Sequence, residues 1–311
     1  MATSDSTPVF DRADHPLAAE FGLAVAATVG FALAFRSVAA VTTRVRGLVA
    51  LPGGLLVDGL VHSTVLLAVL GLLVGTYATR RGIDVRVSLP TREETPALVE
   101  ALAVPALLVA LTALVGDATG VSYSSLARTS YAPGVALRPV AVVTGLGLLV
   151  GVPSYLLVCQ VLVQGSFERA VGRDAAAVLT TATTAFLLVG TQGGTGLSPV
   201  PDRGRLAGAV LFALAVGVAL VGADRADRGW VRYLAAVPVL AVGGAVLFSA
   251  VAAVGSATGA LFAATQVVVL ALAAVTYART SSLAVPALAY FSLSLAHDAA
   301  VFAVETGTVA F

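Results

Sequence analysis

Residues 55–79 read LLVDGLVHSTVLLAVLGLLVGTYAT, a run in which Asp58 and His62 are the only acidic or basic side chains. A bilayer core about 30 Å thick is crossed by about 20 apolar residues of helix, so this stretch reads as a transmembrane helix. It is continuous and rich in Leu, Val and Gly rather than alternating, which excludes the strand of a lipid-facing barrel. Runs of the same kind recur on both sides of it, at roughly Leu17–Val41, Ala97–Val115, Pro139–Val163, Asp174–Thr191, Leu206–Val221, Val231–Val254, Thr258–Tyr277 and Leu283–Val304. The expected fold is therefore all-α, a polytopic membrane bundle of about nine helices (eight to nine). Residues 1–16 form a polar tail and residues 17–311 a single transmembrane domain. The connecting segments are too short for a separate soluble domain.

The composition agrees. Of 311 residues, 58% are hydrophobic and 11% charged, against about 45–50% and about 25% in soluble domains. That excludes a soluble enzyme and a disordered chain. The 18 basic residues, all Arg, nearly balance 17 acidic ones, so no nucleic-acid partner is expected. The partner that composition does name is the lipid bilayer. A single cysteine, Cys159, excludes an intramolecular disulfide and any multi-Cys metal site. The tail carries Asp5, Asp11, Arg12 and Asp14 and lacks the basic-then-apolar order of a cleavable signal. His15 in that tail is expected to be solvated. With nine helices, the tail and the even-numbered loops hold most of the arginines, among them Arg80, Arg81, Arg86, Arg92, Arg169 and Arg173. The positive-inside rule then places the N-terminus in the cytoplasm of a cell-membrane protein.

Ionisable groups inside such helices cost about 2.5–3.5 kcal/mol at the bilayer centre and usually face the bundle interior. The candidates are Glu20, Asp58, His62, Glu100, His297 and Asp298. Asp58 and His62, four apart, share a helix face. They suit an oriented ring, a shared proton or a metal, and equally a local hydrogen-bonded pair. His297 and Asp298 are adjacent and point about 100° apart. A zinc hydrolase needs three protein ligands and an open position, and no spacing here requires one, so no metal or other cofactor is expected. Gly145, Gly147, Gly151, Gly243 and Gly244 are placed to line close helix contacts.

Residues 149–190, LVGVPSYLLVCQVLVQGSFERAVGRDAAAVLTTATTAFLLVG, resemble the catalytic region of the CPBP intramembrane proteases, also called the CAAX-protease or abortive-infection family. There a helix ends in Glu-Glu-x-x-x-Arg-Gly, a basic connector follows, and a second helix closes with Phe-x-x-x-His. A later helix carries His-x-x-x-Asn after a Tyr-x-Arg-Thr-Gly-Ser-Leu-like turn. This chain has that turn as Tyr277-Ala278-Arg279-Thr280-Ser281-Ser282-Leu283, with Pro286 beyond. The segment before, Gly82 to Arg138, also resembles the family, so the core would cover about 80–305.

The framework matches and the chemistry departs. Cys159 and Gln160 stand where the family has its glutamates, and Gln164 where it has arginine, while Gly165 is kept. Phe186 matches the second motif, but Gly190 replaces its His. Tyr290 and Ser294 fall on the third motif's His and Asn. The long interval from Gly190 to Tyr290 implies an inserted hairpin, about 206–254. An alternative register puts the second motif at Phe248 to Ala252, again without His. The resemblance implies a water-activating Glu pair and His residues, and these are absent together. Losing a general base alone costs about 10²–10⁴ in rate. The reading is a protease-like membrane protein without peptidase activity, serving as a binding or scaffolding module for a membrane-protein or peptide partner. Two alternatives stay open. One is an active hydrolase, zinc-dependent if Asp58, His62, Glu100 and His297 assemble. The other is a transporter-like or structural membrane protein.

Overall fold

A computed structural model describes residues 15–48, 54–88, 90–132, 134–189, 200–224, 229–253 and 256–305. Eleven α-helices account for nearly all of them, and no strand occurs among the described residues. In chain order they are α1 (Pro16–Leu48), α2 (Gly54–Arg81), α3 (Thr95–Thr119), α4 (Tyr123–Ala127), α5 (Leu137–Tyr155), α6 (Gly165–Glu168), α7 (Arg173–Leu188), α8 (Arg203–Asp224), α9 (Gly229–Ala253), α10 (Ala257–Thr280) and α11 (Ala284–Glu305). A π segment, Leu156–Gln164, joins α5 to α6, so Leu137–Glu168 is one continuous helix.

Among the described residues seven helices are long and apolar enough to cross a membrane: Pro16–Val45, Leu56–Arg81, Arg92–Thr119, Leu137–Glu168, Arg203–Asp224, Ala257–Thr280 and Ala284–Val304. The chain is a membrane-embedded helix bundle. The two runs that fall short of that measure are the fifth and seventh of the nine expected. Helix α7 has 16 residues, about 24 Å at a rise of 1.5 Å per residue. In α9 the described apolar stretch is Tyr233–Phe248. The run holding Glu20 and Arg36, and the short sixth run, both qualify.

Apolar side chains such as Leu33, Leu72, Leu107 and Leu240 are more than half exposed, as on a surface that meets lipid rather than water. The π segment is the opposite. Val158 to Phe167 are all buried, because this stretch packs against α1, α2, α7 and α10 at once. Pro153, inside the last turn of α5, removes one donor from the helix ladder. The wider i→i+5 register begins three residues later, and the Gly165 amide closes it on the Gln160 carbonyl. Helix α8 packs on α1 and, more lightly, on α7, and α9 lies against α8.

Local chemistry sets the helix ends. At the end of α2 the Ile83 amide bonds the Ala78 carbonyl at 2.9 Å and the Gly82 amide the Thr79 carbonyl at 3.2 Å. This is a Schellman cap with Gly82 at φ +63°. It lays Ile83 against Gly165, where an added Cβ would sit 2.8 Å from Ile83 Cγ2. The close approach therefore needs glycine at 165. The glycines expected to make close contacts do so only in part. Gly145, Gly147 and Gly244 have open space beside them, and Gly243 reaches Phe212 at ordinary contact distance. Tight approaches occur instead at Gly59, against Leu146, at Gly165, and at Gly222, against Ala235. Their spacing in sequence does not reveal which helix face is covered.

Polar contacts sort the helix ends into two faces. On one, Glu20 near the start of α1 pairs with Arg81 at the end of α2 and lies 3.8 Å from Arg169 beyond α6. Glu100 near the start of α3 pairs with Arg279 at the end of α10 on this face too. His15, expected to be solvated, bonds Asp224 at the end of α8, 2.9 Å away. On the other, Arg36 donates to the Pro201 carbonyl (2.6 Å), and Arg205 in the first turn of α8 donates to the Phe186 carbonyl near the end of α7 (2.5 Å).

Candidate functional site

The family-equivalent positions meet at the centre of the bundle. The Gln160 amide donates to the Tyr290 hydroxyl at 3.2 Å, across 130 residues of sequence. Tyr155, one turn before Gln160, sets its ring 5.3 Å from that of Tyr290. The Cys159 thiol lies beside Tyr290 and Thr184 of α7. All five side chains are buried, Gln160 and Tyr290 to 1% exposure or less. Gln164, one turn on, donates to the Ala274 carbonyl of α10 at 3.0 Å and to Glu168 at 3.3 Å. The side-chain amide oxygens (Oε1) of Gln160 and Gln164 have no hydrogen-bond partner among the described residues. Leaving such a group unpaired costs about 1–3 kcal/mol, so apolar packing alone does not account for both glutamines.

The cluster holds an amide, phenols, a thiol and a threonine hydroxyl. It holds no carboxylate and no imidazole, the groups that most often activate water at neutral pH. Ser294 lies one turn past Tyr290 on α11, half-buried. Gly190 lies outside the described residues. Ala252, in the alternative register, falls within α9, and Phe248 beside it is mostly exposed.

The ionisable candidates are dispersed. His62 Nδ1 shares a 2.7 Å hydrogen bond with Thr42 on α1, with Asp58 one turn earlier on the same helix. Glu100 pairs with Arg279 at one face. His297 Nδ1 lies 2.7 Å from the Tyr123 hydroxyl, beyond the opposite end of α3. Burial raises the Tyr123 phenol above its ordinary pKa, which keeps it a hydroxyl donor. Asp298 lies instead beside Thr144 and Tyr131, so the adjacent pair does face different neighbours. Glu100 and His297 are therefore not brought to one site. Among the described residues no three His, Cys, Asp or Glu side chains could hold a metal ion together.

Two features were not read from sequence. Tyr155 and Thr184 belong to the central cluster, and only the four-residue spacing of Tyr155 from Cys159 hinted at it. An apolar groove of about 900 Å³ also runs between α7 and α10 on one side and α8 and α9 on the other, with Phe186, Phe212 and Val246 in its walls. Compared with known proteins, the chain matches no family model, no curated protein and no solved structure.

Proposed function

We propose that this is a multi-pass cell-membrane protein with a CPBP-type core that has lost peptidase chemistry and serves as a binding or scaffolding module for a membrane-protein or peptide partner. The observation that carries the reading is the Gln160–Tyr290 hydrogen bond. It joins the two positions that the resemblance assigns to the first and third motifs, and both bear side chains unable to act as a general base at neutral pH. Tyr has an unperturbed pKa of about 10 and Gln does not titrate. The groove beside α8 and α9 supports the binding role, since its apolar walls suit a transmembrane segment. So does the position of α9 against α8, as expected for an inserted hairpin.

The test of chemistry is cleavage of quenched-fluorescence transmembrane peptides by purified protein in lipid vesicles, with and without added zinc. The expected result is no turnover above a protein-free blank under either condition. Zinc-dependent turnover abolished by His62→Ala would overturn the reading in favour of a displaced hydrolytic site.

Nine crossings, with the N-terminus in the cytoplasm, belong to the same proposal. Two features support them. The Arg173 end of α7 shares a cavity with the residues that follow α2, and its Phe186 end meets Arg205, so α7 runs between the two faces. Helix α8 ends beside His15, and α10 ends beside Glu100 on that same face, an arrangement that a crossing α9 would satisfy. Single cysteines introduced at 87 and 227, in a Cys159→Ala background, are expected to resist an impermeant maleimide in intact cells. Labelling of either from outside reverses the orientation.

A further inference from the structure

At the face holding Glu20, where α2, α6, α7 and α10 end or begin, lies a polar cavity of about 200 Å³. Its charged walls are Asp84 and Arg86 after α2, Glu168 and Arg169 at the end of α6, and Arg173 at the start of α7, with Tyr277 of α10 beside them. Gly82, at positive φ, leaves the Arg169 guanidinium uncovered, since a Cβ there would lie 3.8 Å from Arg169 Nη1.

The charges around the cavity do not balance. Arg86 pairs with Asp84 at 2.5 Å. Glu20 answers both Arg81 and Arg169. Glu168 accepts from Gln164 and attracts Arg173 across the cavity. Among the lining residues three guanidinium groups (Arg86, Arg169, Arg173) stand against two carboxylates (Asp84, Glu168), an excess of one positive charge. The cavity also sits at the ends of the spans Leu56–Arg81, Leu137–Glu168 and Ala257–Thr280, the depth at which lipid headgroups lie. A guanidinium fork matches phosphoryl oxygens in shape as well as charge, and basic pockets between transmembrane helices suit phosphate-bearing headgroups.

We infer that this cavity binds a phosphoryl anion, with Arg173 as its principal anchor and Arg169 and Arg86 flanking it. The inference is independent of the protease resemblance. The anion is supplied by an anionic phospholipid headgroup or by free phosphate, and one set of measurements separates them.

The purified full chain in neutral detergent is titrated with phosphatidylglycerol and, separately, with phosphatidylcholine, and bound lipid is counted by native mass spectrometry. Inorganic phosphate is titrated in a parallel thermal-unfolding assay against chloride at equal ionic strength. The expected result is one tightly held phosphatidylglycerol whose affinity falls about tenfold in Arg173→Gln, the loss of a charge-assisted hydrogen bond. Arg173→Lys should retain part of the affinity, because it keeps the charge and loses the fork. Arg92→Gln, an exposed arginine on this face outside the cavity, should leave it unchanged. Stabilisation by inorganic phosphate that Arg173→Gln removes, without a preference for phosphatidylglycerol, assigns the same site to free phosphate. Equal behaviour of the parent and Arg173→Gln toward both probes overturns the inference. So does an equal loss in Arg92→Gln, which would reduce the effect to general surface charge.

Discussion

Replacing Cys159 and Gln160 together by glutamate is expected to lower the unfolding midpoint in detergent by about 10 °C or to prevent accumulation of the protein. An uncompensated buried charge costs about 3–5 kcal/mol, and each kcal/mol moves the midpoint of a chain this large by about 2–4 °C. Both positions are enclosed, at 1% and 0% exposure, and their neighbours Tyr155, Tyr290 and Thr184 can donate hydrogen bonds but carry no positive charge. Adding Gln164→Arg to the pair should recover part of the loss. Residue 164 lies one turn from 160, and Glu168, already bonded to Gln164, would accept from the new guanidinium. Thermal unfolding of the double and triple variants in one detergent decides the matter. A double variant as stable as the parent would mean that water reaches these positions. A triple variant no better than the double would separate residue 164 from the site and remove the argument that acidic and basic groups were lost together.

The second large effect belongs to Glu20. Its carboxylate is 4% exposed and ties α1 to the end of α2 through Arg81 and to the end of α6 through Arg169. Glu20→Ala leaves two guanidinium groups facing one another, Arg81 among them largely buried, and is expected to cost about 3–5 kcal/mol. Glu20→Leu combined with Arg81→Leu should melt well above Glu20→Ala, because removing both partners strands no charge. Arg169, 41% exposed at its side chain, then remains hydrated. Should Glu20→Ala melt with the parent, the pairing contributes nothing and the three elements are held by apolar packing alone.

The bundle was legible because continuous apolar runs of about 20 residues have few alternatives to a membrane helix. The meeting of Gln160 with Tyr290 was legible only by counting against a family framework, since nothing local in either helix points to the other. What escaped the sequence has physical reasons. Glu20 and Arg81 are 61 residues apart, so the carboxylate that looked misplaced in lipid gave no sign of its partner. Windows that count apolar residues do not see helix length, and α7 proved shorter than the run that foretold it. Glycine spacing did not identify the packed faces. Gly165 is tight because the cap of α2 drives Ile83 into it, a contact set by a turn 82 residues earlier. No motif framework carries the π register of Leu156–Gln164, so the directions in which the central side chains point were not legible either.

That register has a consequence for how the chain tolerates change in length. A stretch wound with more residues per turn holds a residue that an ordinary helix of the same span would lack. Deleting one residue between Leu156 and Gln164 would let the ladder tighten to the i→i+4 pattern while Tyr155 and Gly165, the two ends, stay seated on Tyr290 and Ile83. Such a deletion would rotate Cys159 and Gln160 out of their present directions and leave the outer architecture standing. Residue identity at the bundle's centre is thus separable from the scaffold around it, which lets a lineage rewrite the middle of this helix without rebuilding the nine others described.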